Sequence, residues 1–595
     1  QVGLSELTID SDLLSGRFAG SFNIFETGNV LNKYFANYYT LHDTTLLAEK
    51  EAGPQHFKFN LQLKKTELLT EILFPPLESF VPGEIRGEFN SEAKKLDMSI
   101  DIREIQYSKV GVKSFLFTTT SDAEKLNYDI RADEITIDSL RVDGLQFAGT
   151  VANDSILTKL IILDSLDKEK YILGGIFNSL RNEYQFAFLP GQVKLNYNDW
   201  TVPADNYVRF GGRRIVAKDI ELANGREKII VDSRDDEASS LFIGFRELNL
   251  EYLVSMVSKE KAVSGLLHGD ILIIPDTANM TFTANLGIRD FNLSEIPWGD
   301  ITLKVSREAT DRFDLDFAVR SDINDIRARG YYKTGDQPQV DIRSKISKFE
   351  LKTAEPLTGG QLKDLNGLLT GEVNIKGASK KPGITGELNF DRVAFFSTYL
   401  NTPFSVENET ILLKSNGIFF DRFDLLDKSK NRATIDGAIE TTDYSNFKLR
   451  LDLVTNNFRL LNTGRKDNEL FYGKIDVDAT IRVRGTMGEP VVTMQVGLGD
   501  DSHLTYIVPQ TEAGVMEQEG IVRFVDKTFR NDPFMKTFDL ADTAKSSFLG
   551  LNLSARIELT DRESFTVVID PSTGDQLTVK GNTTLTLSMD PTGDI

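Results

Sequence analysis

The sequence predicts an all-β chain: an elongated, curled β-sheet with a hydrophobic interior and a few short helices. Three observations predict it. Most apolar stretches alternate with polar residues, the period of a strand buried on one face. A glycine-punctuated pattern recurs about every hundred residues. Strand-like segments number roughly 40 at about a dozen residues per strand and turn, while helical segments are few. So few helices cannot cover that many apolar faces, so the sheet must cover itself. It closes into a solenoid with a dry core, pairs into sandwiches, or curls into a groove whose interior something else fills.

The recurring pattern is fullest between Gly371 and Thr463. It opens with Leu369-Thr370-Gly371-Glu372-Val373-Asn374-Ile375-Lys376-Gly377, turns at Lys381-Pro382-Gly383, and resumes at Ile384. Its opening returns around Gly269 and Gly473, and 371 minus 269 and 473 minus 371 both give 102. Asp436-Gly437 matches Arg329-Gly330, 107 residues earlier. Thr398-Tyr399 through Phe420 is echoed by Thr505-Tyr506 through Phe524. A unit this long holds several strands. The chain therefore divides at about 240: residues 1–240 form the N-terminal part of the sheet, and 241–595 hold units at about 245–345, 346–455 and 456–595.

In chain order, Phe57–Leu63, Ile85–Phe89 and Leu96–Ile102 alternate as strands, and Asn29–Tyr38 is expected to be a short helix. Asp143-Gly144 and Asn224-Gly225 carry hairpin turn chemistry. Tyr171–Phe177 is a more uniformly apolar strand, and Trp200-Thr201-Val202-Pro203 marks an edge or turn. Leu248–Ser258, Gln361–Leu369 and Asp539–Phe548 read as helical. Strands return at Phe313–Phe317, Phe447–Leu453, Ile475–Val483, Leu551–Leu559 and Leu585–Met589.

Composition removes several function classes. A net charge of −21 and a pI near 4.9 argue against a nucleic-acid partner. Cysteine is absent, which suits an oxidising compartment where no disulfide is used, though cytosolic chains without cysteine exist. With no thiolate, and with His42, His56, His268 and His503 scattered, no transition-metal site and no cofactor are expected. No run is apolar enough to span a membrane. The chain opens directly in strand-like sequence and stops on a turn, Pro591–Ile595, so a fragment cut at both ends is expected. No catalytic residues are assigned. Asp232–Glu237 is a solvated acidic loop, and Gly497–Asp501 lacks the ligand spacing of a calcium loop. There is no nucleophile elbow, P-loop or dinucleotide fingerprint.

The order Gly, alternating Val/Ile, Gly, Pro, Gly, Leu resembles the C-terminal region of the TamB family, the translocation-and-assembly-module proteins within the AsmA-like group. Gly371, Val373, Ile375, Gly377, Pro382, Gly386 and Leu388 carry it. Gly473, Ile475, Val477, Gly485 and Pro490 carry it again, with Val492 matching Ile384 and Met494 in place of Gly386. Tyr506–Pro509 to Gly520–Phe524 resembles a further hallmark. The resemblance covers about 245–595 and fades toward the beginning of the chain.

The resemblance implies a taco-like repeating β-groove in the periplasm of a Gram-negative bacterium. It implies an inner-membrane anchor outside this chain and a TamA-like outer-membrane barrel partner. It further implies phospholipid passage between the membranes, with acyl chains held in the groove. Val373, Ile375, Ile384, Leu388, Phe390, Phe404, Val406, Ile411, Leu413, Ile418, Phe420 and Ile435 would line that groove. So would Leu449, Leu451, Leu453, Ile475, Val477, Ile481, Val483, Leu551, Leu553, Ile557 and Leu559. Alternation by itself reads these residues as ordinary core; only the resemblance turns them toward a groove. Two other functions stay open: an assembly factor that adds barrel strands to its sheet, and an extracellular solenoid that binds polysaccharide.

Overall fold

The structure, a computed structural model, describes residues 5–39, 53–64, 76–81, 83–137, 140–180, 183–211, 214–233, 240–254, 263–274, 281–309, 311–441, 443–466, 471–500, 502–507, 552–570 and 573–590. Within them the chain is all-β. One sheet has 15 strands, from Ser5–Asp10 to Arg214–Lys218, and another has 22, from Ile220–Asn224 to Thr583–Met589. Spatial order follows chain order almost throughout, because short loops keep successive strands antiparallel. Among the described residues the end strands of each sheet do not pair with each other, so neither is a closed barrel. One sheet ends and the next begins around Asp219, whose φ of 48° breaks the strand.

Among the described residues parallel pairing occurs in one region. Pro490–Leu498 lies parallel to Asn552–Leu559, and His503–Ile507 parallel to Ser564–Asp570. A hairpin cannot join parallel neighbours, and the connecting residues 508–551 lie outside the described ones.

The chain forms two compact units, Gln1–Arg289 and Asp290–Ile595. In the first, the helix Ile24–Ala36 is capped by the Asn23 side chain, which accepts from the Phe25 backbone N–H at 3.1 Å. Val30 and Tyr34, one helical turn apart, are buried against Phe57, Phe89 and Leu96. A second core joins Tyr171, Val193, Trp200, Leu222 and Leu248. The second unit has its own two cores, one around Phe458 and Val477 and one around Val393 and Phe423.

Several local expectations change. The first helix starts five residues earlier than Asn29 and stops at Ala36, because the cap at Asn23 sets its beginning. At Leu248–Ser258 the helix is Leu250–Val254, with Leu248 and Asn249 still in a strand and the residues after 254 outside the described ones. Gln361–Leu369 is no helix. Leu362–Ala378 is a strand, and its register slips twice, between Lys363 and Asn366 and between Asn366 and Leu368. Asp364 and Gly367, at φ 53° and 108°, make these irregularities. They bring leucines 365, 368 and 369 into a spacing that imitates a helix. The helical turn lies just before it, as the 3-10 segment Leu351–Thr358. Asp143-Gly144 is no turn either, since both residues sit inside the strand Leu140–Ala152. Gly144 has a φ of 57°, the conformation that turns also use, which is why the dipeptide misleads. Asn224-Gly225 does open a hairpin, with Asn224 opposite Glu227. Asp539–Phe548 and most of the 506–524 motif lie outside the described residues.

Candidate functional site

In an antiparallel ladder, directly opposite residues share a face. Following them from strand to strand shows what each unit presents. In the first unit one row runs through Gly16, Leu61, Ile85, Ile100, Phe117, Ile130, Phe147, Leu160, Leu173, Val193 and Trp200. It crosses eleven strands without a polar side chain and ends in the dry core, where Trp200 is 1% exposed. From Leu61 to Leu173 its members are only partly buried.

The second unit repeats the device. Ile346, Gly371, Leu388, Ile411, Phe420, Gly437, Leu451, Val483, Val492, Leu553 and Met589 are successive neighbours across eleven strands. A second row holds Val373, Gly386, Leu413, Ile418, Ile439, Leu449 and Gly485. A third holds Phe423, Ile435, Leu453, Ile481, Met494, Ala555 and Leu587. Ile375 opposes Ile384, and Phe390 opposes Leu369. The candidate residues named in these rows thus fall on one face.

Burial divides them. Phe404, Val406, Ile475, Val477, Ile557 and Leu559 are fully buried and pack as core. Val373, Ile375, Ile384, Leu388, Phe390, Ile411, Leu413, Ile418, Phe420, Ile435, Leu449, Leu451, Leu453, Ile481, Val483 and Leu553 keep partial solvent exposure. Leu551 lies outside the described residues. The face is therefore closed along one margin, where Phe404 and Phe458 stack at 5.6 Å, and more open along the rest. The 3-10 segment Leu351–Thr358 covers a further part, seating Leu351 against Phe349, Leu365 and Val393.

Sequence reasoning missed Phe458, Leu461 and Val496 in the buried margin. It also missed the whole row of the first unit. Phe458 escaped because the ladder shifts between Thr455 and Phe458, with Asn457 at φ 45°, so the alternation changes phase. The adjacent Asn456-Asn457 is the only sequence signal for that break.

The glycines in these rows are required by contact. Gly371 has a φ of 148°, and a Cβ there would stand 2.1 Å from the Glu387 carbonyl oxygen on the next strand. Gly437, in the same row, has a φ of 123°, and a Cβ there would stand 2.0 Å from the Arg450 carbonyl oxygen. No side chain fits such an approach, so the strands meet closely and the rows are notched between bulky neighbours.

The other face is polar. Arg484 bridges to Asp452 at 2.7 Å and Arg450 to Glu440 at 2.8 Å, pairs exposed enough to add little stability. On the apolar side Glu409 stands opposite Phe390, and burial holds its carboxyl above the usual carboxylate range. Among the described residues no group of three or more His, Asp or Glu could hold a metal ion. Among them, too, no helix is long and apolar enough to cross a membrane.

A family model described as the TamB C-terminal domain matches residues 421–595. No curated protein and no solved structure matches the chain. The matched span includes the rows from Ile435 and Leu451 onward and the second copy of the glycine pattern at Gly473. This match agrees with the motif-level resemblance: residues 421–595 are similar to the C-terminal domain of the TamB family.

Proposed function

We propose that the chain is a periplasmic conduit for phospholipid between the inner and outer membranes, and that it catalyses no reaction. The observation that carries this reading is the pair of apolar register rows, one in each unit, each crossing eleven strands. Exposing an acyl chain to water costs about 0.8 kcal/mol for every CH₂. A carrier must therefore shelter the chain continuously, and a row repeating about every 4.8 Å does so without site-specific chemistry. Headgroups stay in water along the open side. An inner-membrane anchor and a TamA-like barrel would deliver and receive the lipid.

The test uses Leu451→Asp and Ile481→Asp. Leu451 lies between Gly437 and Val483, and Ile481 between Leu453 and Met494. An unpaired carboxylate in a dry core costs several kcal/mol or neutralises. In an open groove water reaches it, while the charge interrupts the apolar track. Both variants are expected to stay folded by thermal unfolding and to lose co-purifying lipid by mass spectrometry of an organic extract. Unfolding of both, or intact folds with unchanged lipid, would overturn the reading. Crosslinks from these positions to unfolded barrel proteins, with no lipid in the extract, would point instead to assembly by strand addition.

A further inference from the structure

On the polar face of the second unit, three neighbouring strands gather positive charge in an acidic chain. They are Arg312–Arg320, Asn324–Lys333 and Gln339–Glu350. Arg327 lies directly opposite Lys345, and Arg329 directly opposite Arg343. Like charges opposite each other destabilise a sheet, and here two such pairs are adjacent. Strand geometry makes the four cations a block about 5 Å across the strands and about 7 Å along them. Arg320 adds a fifth cation, and together they border a cavity of about 740 Å³ in which Asp325 is the one carboxylate.

The block is only partly neutralised. Asp316 holds two of the guanidiniums, Arg327 through Nη2 at 2.8 Å and Arg329 through Nε at 3.1 Å. Arg343 comes no nearer than 3.9 Å to Asp341. Among the described residues Arg320 and Lys345 form no ion pair within 4.0 Å, although Asp325 stands opposite Arg320 and Glu372 opposite Lys345 on its other side. In a chain with a net charge of −21, random placement does not favour four opposed cations around a cavity. An anion between them would turn the repulsion into attraction. A carboxylate has two oxygens, and Asp316 already spends its own on two arginines. A phosphate group has more oxygens and more charge, and it matches several guanidinium forks and an ammonium at once.

We propose that Arg320, Arg327, Arg329, Arg343 and Lys345 form a phosphate-binding site. The phosphate is carried by an anionic lipid headgroup or is the free ion; the chemistry is shared. The site lies on the face opposite the apolar rows, where Ile326 pairs with Ile346. It therefore stands or falls separately from the conduit.

The experiment uses the whole chain and two probes, inorganic phosphate and vesicles of phosphatidylglycerol in phosphatidylcholine, at low and high NaCl. The variant is the double substitution Arg343→Gln with Lys345→Gln. It removes one cation from each opposed pair and leaves the Asp316 bridges intact. The parent is expected to bind at least one probe, more weakly at high salt. The double variant is expected to bind at least tenfold more weakly, with a thermal midpoint equal to or above the parent's, because repulsion is relieved. Vesicle binding that phosphate does not displace assigns the headgroup; binding of free phosphate that displaces vesicles assigns the ion. Lys345→Gln alone serves if the double variant fails to fold. The site is overturned if the parent binds neither probe, if the variants bind as the parent does, or if an oligo-aspartate peptide binds more tightly than either probe.

Discussion

At the scale of single residues, two positions show how the apolar face is kept in shape. Gly371 lets the strand Leu362–Ala378 approach Gly383–Ser397 so closely that even a methyl group meets a backbone carbonyl. Gly371→Ala must push the strands apart or twist the backbone out of a φ that alanine resists. The expected cost is about 3 kcal/mol, read as a lower urea midpoint for the second unit. Glu409 is the converse, a carboxyl kept beside Phe390. Burial raises its folded-state pKa above the ordinary 4.5, while a backbone hydrogen bond from Asp424 and the Arg432 charge offset part of the effect. The stability tied to its neutral form is complete below pH 4.5 and is lost as pH rises through the folded pKa. Glu409→Gln should therefore raise the melting temperature at pH 7, with the difference from the parent vanishing toward pH 4. A constant difference across that range would show that the carboxyl is not the cause.

At the scale of elements, strands are tied by buried turn caps as well as by ladders. Asp427 is 1% exposed and ends the strand Gly417–Leu426. Its carboxylate accepts from the backbone N–H groups of Ser429 and Asn431 at 2.7 and 2.9 Å, and from the Asn431 side chain at 2.9 Å. It also accepts from the Arg459 backbone N–H at 2.8 Å, where the ladder of Phe447–Thr463 is interrupted. One side chain thus closes a hairpin and fills a gap two strands away. Asp427→Ala leaves these donors unmet inside the protein and should cost about 3 kcal/mol. Hydrogen exchange should quicken in both Gly417–Thr441 and Phe447–Thr463; quickening confined to the hairpin would refute the bridging role. The break at Asn457 and a second shift between Arg459 and Leu461 change the phase of alternation, so one strand presents Leu449, Leu451 and Leu453, then Phe458 and Leu461, to the same side.

At the scale of the whole molecule, each unit carries its own cores, and most contacts join neighbouring strands. Such chains store stability locally, as repeat arrays do. Phe89, 0% exposed, packs with Tyr34, Phe57 and Leu96 inside the first unit. Phe89→Ala should cost about 3–5 kcal/mol there. Amides of the first unit should lose protection against exchange, while those of Arg432–Thr441 and Phe447–Thr463 keep theirs. Equal loss in both units would show a single cooperative fold.

The sequence by itself determined that the chain is built from strands, which side chains share a face within each unbroken run of alternation, and where the repeat glycines fall. These are local facts, written in a period of two and in the spacing of Gly269, Gly371 and Gly473. Tertiary structure decided the rest. Register depends on loop lengths and strand irregularities, so only the folded chain could join Gly371, Leu388, Ile411, Phe420 and Leu451 into one row. It also separated Phe404 and Ile475, which pack as core, from Leu451 and Ile481, which stay partly exposed. A positive φ serves turns and in-strand kinks alike, so Asp143-Gly144 and Gln361–Leu369 were legible only once their partners were in place. The opposed cations at Arg327, Lys345, Arg329 and Arg343 lie up to 18 residues apart in sequence, and cross-strand pairing alone brings them together.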